Sequence, residues 1–174
     1  MCIRDRYISD EKTPDNEMVL KGADISKYHI NPATNYIIFK PESFQQIAPT
    51  EMYRAKEKLL YRFISSQLVF AYDNKQTLSL NSCNIVIPRI PGTKMKYVLA
   101  ILNSRIAQFI YKREFNSVKI LRSHIENIPI PLVDEITQNR IITLTDKLID
   151  GLEINEAEKV YEELDTLILS LIHI

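Results

Sequence analysis

The spacing of apolar side chains divides the chain into a strand-like first half and a helical second half. Asn35-Tyr36-Ile37-Ile38-Phe39-Lys40 predicts a strand stopped by Pro41. Residues 50–57 are compatible with a short helix. The runs 58–64, 67–72 and 77–80 continuing through 85–88 are rich in aromatic and β-branched residues and are separated by polar pairs. A helix through residues 54–70 competes with this reading, because Lys, Glu and Leu favour it. Ser65-Ser66 and Asp73-Asn74-Lys75-Gln76 fall at hairpin spacing and favour strands. The expectation is an antiparallel meander of three strands, which the strand near Tyr36 would join.

From Lys94 the period changes. Val98, Ile101, Leu102, Phe109 and Ile110 mark a helix interrupted by Asn103-Ser104, a pair that either kinks the helix or hydrogen-bonds along its face. At Ile128-Pro129-Ile130-Pro131 no helix can continue, and an extended connector follows. Ile141, Leu144 and Leu148 then recur at helical spacing up to Gly151. Ala157, Val160, Tyr161, Leu164, Leu167 and Ile168 form a second stripe, so residues 132–169 predict an antiparallel helical hairpin. Earlier in the chain, Gly22 is expected to supply a positive φ in a turn and Asp24 to cap the next segment. The fold class is α+β: a small antiparallel sheet with a packed amphipathic helix, then the hairpin.

Charge changes this picture only locally. The 174 residues carry 22 basic and 22 acidic side chains, so bulk charge favours no partner. Residues 52–122, however, hold thirteen Lys and Arg against Glu57, Asp73 and Glu114, while the hairpin is acidic. No apolar run reaches the roughly 20 residues that span a bilayer, and no signal peptide is visible, so no membrane partner and a cytoplasmic setting are the expectation. Met1 to Arg6 and residues 170–174 resemble translated adapter sequence at the edges of a metagenomic gene fragment. The chain is therefore expected to be an internal piece of a longer protein.

Candidate chemistry is sparse. Cys2 and Cys83 lack partners at metal-ligand spacing, and His29, His124 and His173 stand near no cysteine or carboxylate at ligand or triad spacing. With three glycines, Gly22, Gly92 and Gly151, the chain has no phosphate-cradling loop or dinucleotide fingerprint. Asn31-Pro32-Ala33-Thr34 lacks the aromatic that the methyltransferase tetrapeptide uses against a flipped base, and reads as a turn. No catalytic residue, metal site or cofactor site is expected in this stretch. Binding is the better prospect. Tyr61, Phe63, Phe70 and Tyr72 alternate along the strands, and Arg62, facing opposite Tyr61 and Phe63, either points to solvent or, with Lys58, reaches a phosphate or a guanine edge.

Several strings taken together carry a resemblance. Leu20-Lys21-Gly22-Ala23-Asp24-Ile25-Ser26-Lys27-Tyr28, Lys58-Leu59-Leu60-Tyr61-Arg62, Ala71-Tyr72-Asp73, Leu80-Asn81-Ser82, Leu99-Ala100-Ile101-Leu102-Asn103-Ser104-Arg105 and Ile125-Glu126-Asn127-Ile128-Pro129-Ile130-Pro131 resemble the TaqI-like C-terminal specificity domain of type IIG adenine-specific DNA methyltransferases. Order and spacing match over most of residues 19–150. The helix with Gln138, Ile141 and Leu144 resembles the helical spacer of type I specificity subunits. Tyr161-Glu162-Glu163-Leu164-Asp165-Thr166-Leu167-Ile168 resembles the closing helix of such methyltransferases.

The resemblance implies a target-recognition domain at 7–131 and a hairpin spacer at 132–169. It implies double-stranded DNA as partner, and an upstream domain of the same chain that holds S-adenosylmethionine and methylates adenine N6. Lys58, Arg62, Lys75, Lys119 and Arg122 are the candidate DNA contacts. The rival reading is a protein-interaction module, its basic middle meeting an acidic partner and its hairpin oligomerising as a coiled coil. An intact small enzyme is a third, which would need a pocket with convergent titratable groups.

Overall fold

A computed structural model describes residues 7–44 and 47–172. The expected adapter tail at 1–6 and the last two residues lie outside them. In chain order the elements are β1 (Ile8–Ser9), β2 (Glu17–Leu20), β3 (Tyr36–Ile37), α1 (Thr50–Tyr53), β4 (Lys58–Arg62), β5 (Phe70–Asp73), β6 (Leu78–Ser79) and β7 (Cys83–Val86), followed by α2 (Met95–Asn103), α3 (Arg105–Glu114), α4 (Arg122–Glu126), α5 (Glu135–Asp150) and α6 (Ile154–Ser170).

The fold is α+β, with two small sheets rather than one meander. β5-β4-β7 is antiparallel, with Leu60 opposite Ala71 on one side and Ile85 on the other. The other sheet runs β1-β3-β2-β6, in which β6 pairs parallel with β2. The 77–88 run therefore splits between sheets at residues 80–82, and the strand at Tyr36 belongs to the second sheet, not the first. β4 sits in the centre because its two sides are covered by different neighbours. Leu59 and Tyr61 face the helical core, whereas Leu60 packs with Leu20, Ile25 and Cys83. A strand covered on both faces reads as a continuous apolar run, which is why 58–64 lacks clean alternation.

Gly22 is not at a positive φ. Its requirement is space: a Cβ there would stand 2.5 Å from the Ser82 carbonyl oxygen, so this turn can lie against the 80–82 corner only as glycine. Asp24 closes its own turn by accepting from the Lys21 N–H at 2.7 Å, rather than capping the segment after it. Asn31 likewise folds back, its backbone N–H donating to the Asp24 carbonyl at 2.8 Å.

The Asn103-Ser104 pair ends one helix and begins the next. The Ser104 hydroxyl accepts from the Ala107 N–H and so caps α3. Asn103 does something different. Its Oδ1 accepts from the Phe70 N–H and its Nδ2 donates to the Phe70 carbonyl, both at 2.9 Å. Two residues earlier, the Leu68 N–H donates to Gln108 Oε1 at 2.7 Å. β5 is an edge strand, and these two amides stand in for the neighbour it lacks.

α5 and α6 form the expected hairpin, turned at Gly151 with φ +90°. Ile141, Leu144, Leu148, Leu164 and Ile168 pack into one core with Leu59, Phe70, Leu99 and Leu102. The stripe predicted for a coiled coil is thus spent inside the chain. The connector runs extended, with Ile128 buried and Pro129 exposed, and the Tyr97 hydroxyl donates to the Pro131 carbonyl at 2.7 Å.

Asn103→Leu keeps the volume but leaves the Phe70 N–H buried without a partner. We expect a loss of about 2 kcal/mol in urea unfolding with an unchanged m-value. Wild-type stability in this variant would show that the amide contributes nothing.

Candidate nucleic-acid interface

Most of the thirteen cations between residues 52 and 122 prove to have internal partners. Arg54 pairs with Glu17 at 2.7 Å, Lys94 with Glu135 at 2.7 Å, Lys96 with Asp146 at 2.6 Å and Arg105 with Asp165 at 3.2 Å. The last three link α2 and α3 to the acidic hairpin. Much of the apparent charge segregation along the sequence is therefore neutralised across the helix interface. Lys56, Lys75, Arg89, Lys112, Arg113 and Lys119 are exposed and make no ion pair among the described residues.

The five sequence candidates separate. Lys58 is fully buried, 2.5 Å from Asp73, its register partner across β4 and β5, and its Nζ donates to the Tyr53 carbonyl at 2.8 Å. Asp73 also accepts from the Thr77 N–H and Oγ1 and from the Lys75 N–H. A charge so enclosed has no access to a ligand; the expectation of a DNA contact at Lys58 gives way to a structural role. Arg62 is half-buried on the Leu60 side of the sheet, its Nε and Nη2 both donating to the Ile25 carbonyl, and is held there rather than extended into solvent.

Lys75 is exposed in the turn after β5, at the Lys58 end of the sheet. Lys119 stands opposite Ile64 at the other end. Six residues of extended chain separate these ends, about 20 Å, so Lys75 does not share a surface patch with Lys119 and Arg122.

Three of the six unpaired cations among the described residues, Lys112, Arg113 and Lys119, fall in the stretch from the end of α3 to α4. Phe115 stacks on His124 with ring centroids 4.3 Å apart, and the Tyr111 hydroxyl donates to the Ser117 carbonyl at 2.7 Å. His124 Nδ1 accepts from the Leu121 N–H at 3.3 Å. These contacts bring the end of α3, which carries Lys112 and Arg113, against the start of α4, which carries Arg122, with the exposed Lys119 in the loop between them and Glu114 and Glu126 as the accompanying acids. Arg122 bonds Glu126 at 2.6 Å, which holds its guanidinium above the usual range, while remaining largely exposed. Lys112 and Arg113 also complement the C-terminal end of the α3 dipole, a local role that a sequence reading would assign them first. They were not among the sequence candidates; the available signal was the Lys-Arg pair in the last turn of a helix whose other cation, Arg105, is already paired.

Burial pushes the Cys83 thiol up to about 12, so it is not a nucleophile at neutral pH. Among the described residues, no group of three or more His, Cys, Asp or Glu side chains has metal-ligand geometry. Nor does any described helix have the length and apolarity to cross a membrane. A cavity of about 400 Å³ lies against the second sheet, lined chiefly by Val19, Ile37, Phe39, Phe44, Tyr53 and Leu78.

A family model described as the TaqI-like C-terminal specificity domain matches residues 17–130. Among solved structures, the chain is similar to the type IIL restriction-modification enzyme MmeI, determined in complex with DNA. That match has a TM-score of 0.60 and 12% identity, over 91% of this chain and 28% of MmeI. At this identity the likeness is one of fold, and the chain spans little more than a quarter of the larger protein. No curated protein sequence matches it.

Breaking the buried pair tests the structural assignment of Lys58. Asp73→Ala strands a charge and should cost roughly 3–5 kcal/mol, whereas Lys58→Met combined with Asp73→Leu should recover part of that loss in chemical denaturation, the Thr77 N–H and hydroxyl still lacking their acceptor. Equal stability of the single variant and wild type would return Lys58 to the surface candidates.

Proposed function

The chain belongs to the TaqI-like C-terminal specificity domain family, and from that premise we propose that it is the DNA target-recognition region of a site-specific restriction-modification methyltransferase. In this reading it grips duplex DNA and presents the target to an upstream domain of the same protein. That domain binds S-adenosylmethionine and methylates adenine at N6. The division suits the chemistry of the chain, which offers exposed cations on a scaffold held by buried polar contacts such as Lys58–Asp73 and Asn103–Phe70.

The observation that carries the proposal is the cluster of Lys112, Arg113, Lys119 and Arg122 around the Phe115–His124 stack. Phosphate contacts supply most of the affinity of such a surface and position the protein on the duplex. Lys75, at the far end of the sheet, would at most reach a separate stretch of backbone. α5 and α6 brace the surface from behind. Their apolar stripes lie in the core and three of their carboxylates pair with Lys94, Lys96 and Arg105, which favours the DNA-binding reading over the coiled-coil alternative.

Replacing Lys112, Arg113, Lys119 and Arg122 together by Ala should weaken duplex binding severely. It should also lower the slope of log affinity against log salt by roughly 3 to 4, about 0.9 for each phosphate that is no longer neutralised. Gel-shift titrations at several salt concentrations measure both quantities. Unchanged affinity and slope, with the fold intact by circular dichroism, would reject this surface as the DNA-binding face.

A further inference from the structure

Beyond Arg62 the chain leaves the sheet and pairs once more. Ile64 and Lys119 form an antiparallel bridge flanked by the Ser65 N–H to Val118 carbonyl bond at 2.9 Å and the Ile120 N–H to Phe63 carbonyl bond at 2.8 Å. Bonds on either side of the pair, and none within it, make this the narrow type of antiparallel pairing, in which facing side chains lie closest. Alternation then sorts the faces. Ile120 is fully buried and Phe63 half-buried, while Ile64, 63% exposed, stands outward beside the exposed Lys119. Val118, 61% exposed, sits at the end of the same short ribbon, and Leu121 follows at 43%.

A single exposed isoleucine needs no explanation. Ile64 and Leu121 on the Lys119 face of the ribbon, with exposed Val118 turned to the other face by the same alternation, match a mixed partner that offers anionic and methyl groups side by side. The major groove of DNA is such a surface. It admits a two-stranded ribbon and displays the thymine C5-methyl group next to guanine acceptors, with phosphates along its rim.

Resting on the proposal that the chain binds duplex DNA, we infer that this ribbon is its base-reading element. Ile64 takes a thymine methyl group and Lys119 a neighbouring guanine edge or phosphate. The recognised duplex therefore carries a T·A pair where Ile64 sits.

The test uses the whole 174-residue chain. A duplex is selected from a randomised pool and resynthesised with deoxyuridine replacing each thymine in turn, which removes one methyl group at a time. At one position the substitution should weaken binding about four-fold, the worth of one buried methyl-sized group. In Ile64→Ala that penalty should vanish, while in Lys119→Gln it should persist on top of a weaker, less salt-dependent affinity. A selected duplex indifferent to uracil at every position, or a penalty that survives in Ile64→Ala, overturns the ribbon assignment and leaves DNA binding standing. Failure to select any duplex overturns both.

Discussion

The side-chain amide of Asn103 decides where the helical layer sits. An edge strand exposes a row of N–H and carbonyl groups, and on β5 the Phe70 pair is occupied on both atoms by one asparagine projecting from the last turn of α2. The Phe70 carbonyl also accepts from the Tyr28 N–H at 2.8 Å, and the Lys27 ammonium donates to the Asn103 carbonyl at 2.8 Å. Burial lowers the pKa of that ammonium, with Asp165 nearby opposing the shift. Sheet, helix and N-terminal lobe thus meet at one residue. Because Ser104 starts α3 immediately afterwards, the direction of α3, and with it the position of Lys112 and Arg113, is set by this junction.

Charge is arranged in two tiers. The hairpin carboxylates Glu135, Asp146 and Asp165 answer Lys94, Lys96 and Arg105, and these partly exposed pairs are worth little individually. Their greater effect is to restrict where net positive potential survives. Among the described residues, unpaired cations remain at the end of α3 and in the 115–121 loop, as Lys112, Arg113 and Lys119, and elsewhere as Lys56, Lys75 and Arg89.

The helices were legible in the sequence because each has one buried stripe: Ile141, Leu144 and Leu148 repeat with the helical period, and Gly151 ends the run. The break at Asn103-Ser104 was visible as well, though its purpose was not, since an asparagine reaching across to Phe70 leaves no local trace. The strands were legible as strands but not as sheets. Leu78-Ser79 pairs with β2, nearly sixty residues away in sequence, and no turn signal encodes such a partner. Lys58 misled for a related reason: a lysine in an aromatic strand reads as a surface charge until Asp73 is placed opposite it. Lys119 and Arg122 were named as candidates from charge, whereas singling out Lys112 and Arg113 required knowing which neighbouring cations were already paired.

In the proposed binding mode, α3, the 115–121 loop and α4 form the surface that meets DNA. Hydrogen–deuterium exchange of the 174-residue chain with and without a saturating randomised duplex tests it most directly. Protection should concentrate in residues 63–66 and 109–126, with the exposed face of α5 and α6 unchanged. Protection confined to residues 135–170, or none at duplex concentrations that visibly shift the protein on a gel, would contradict it.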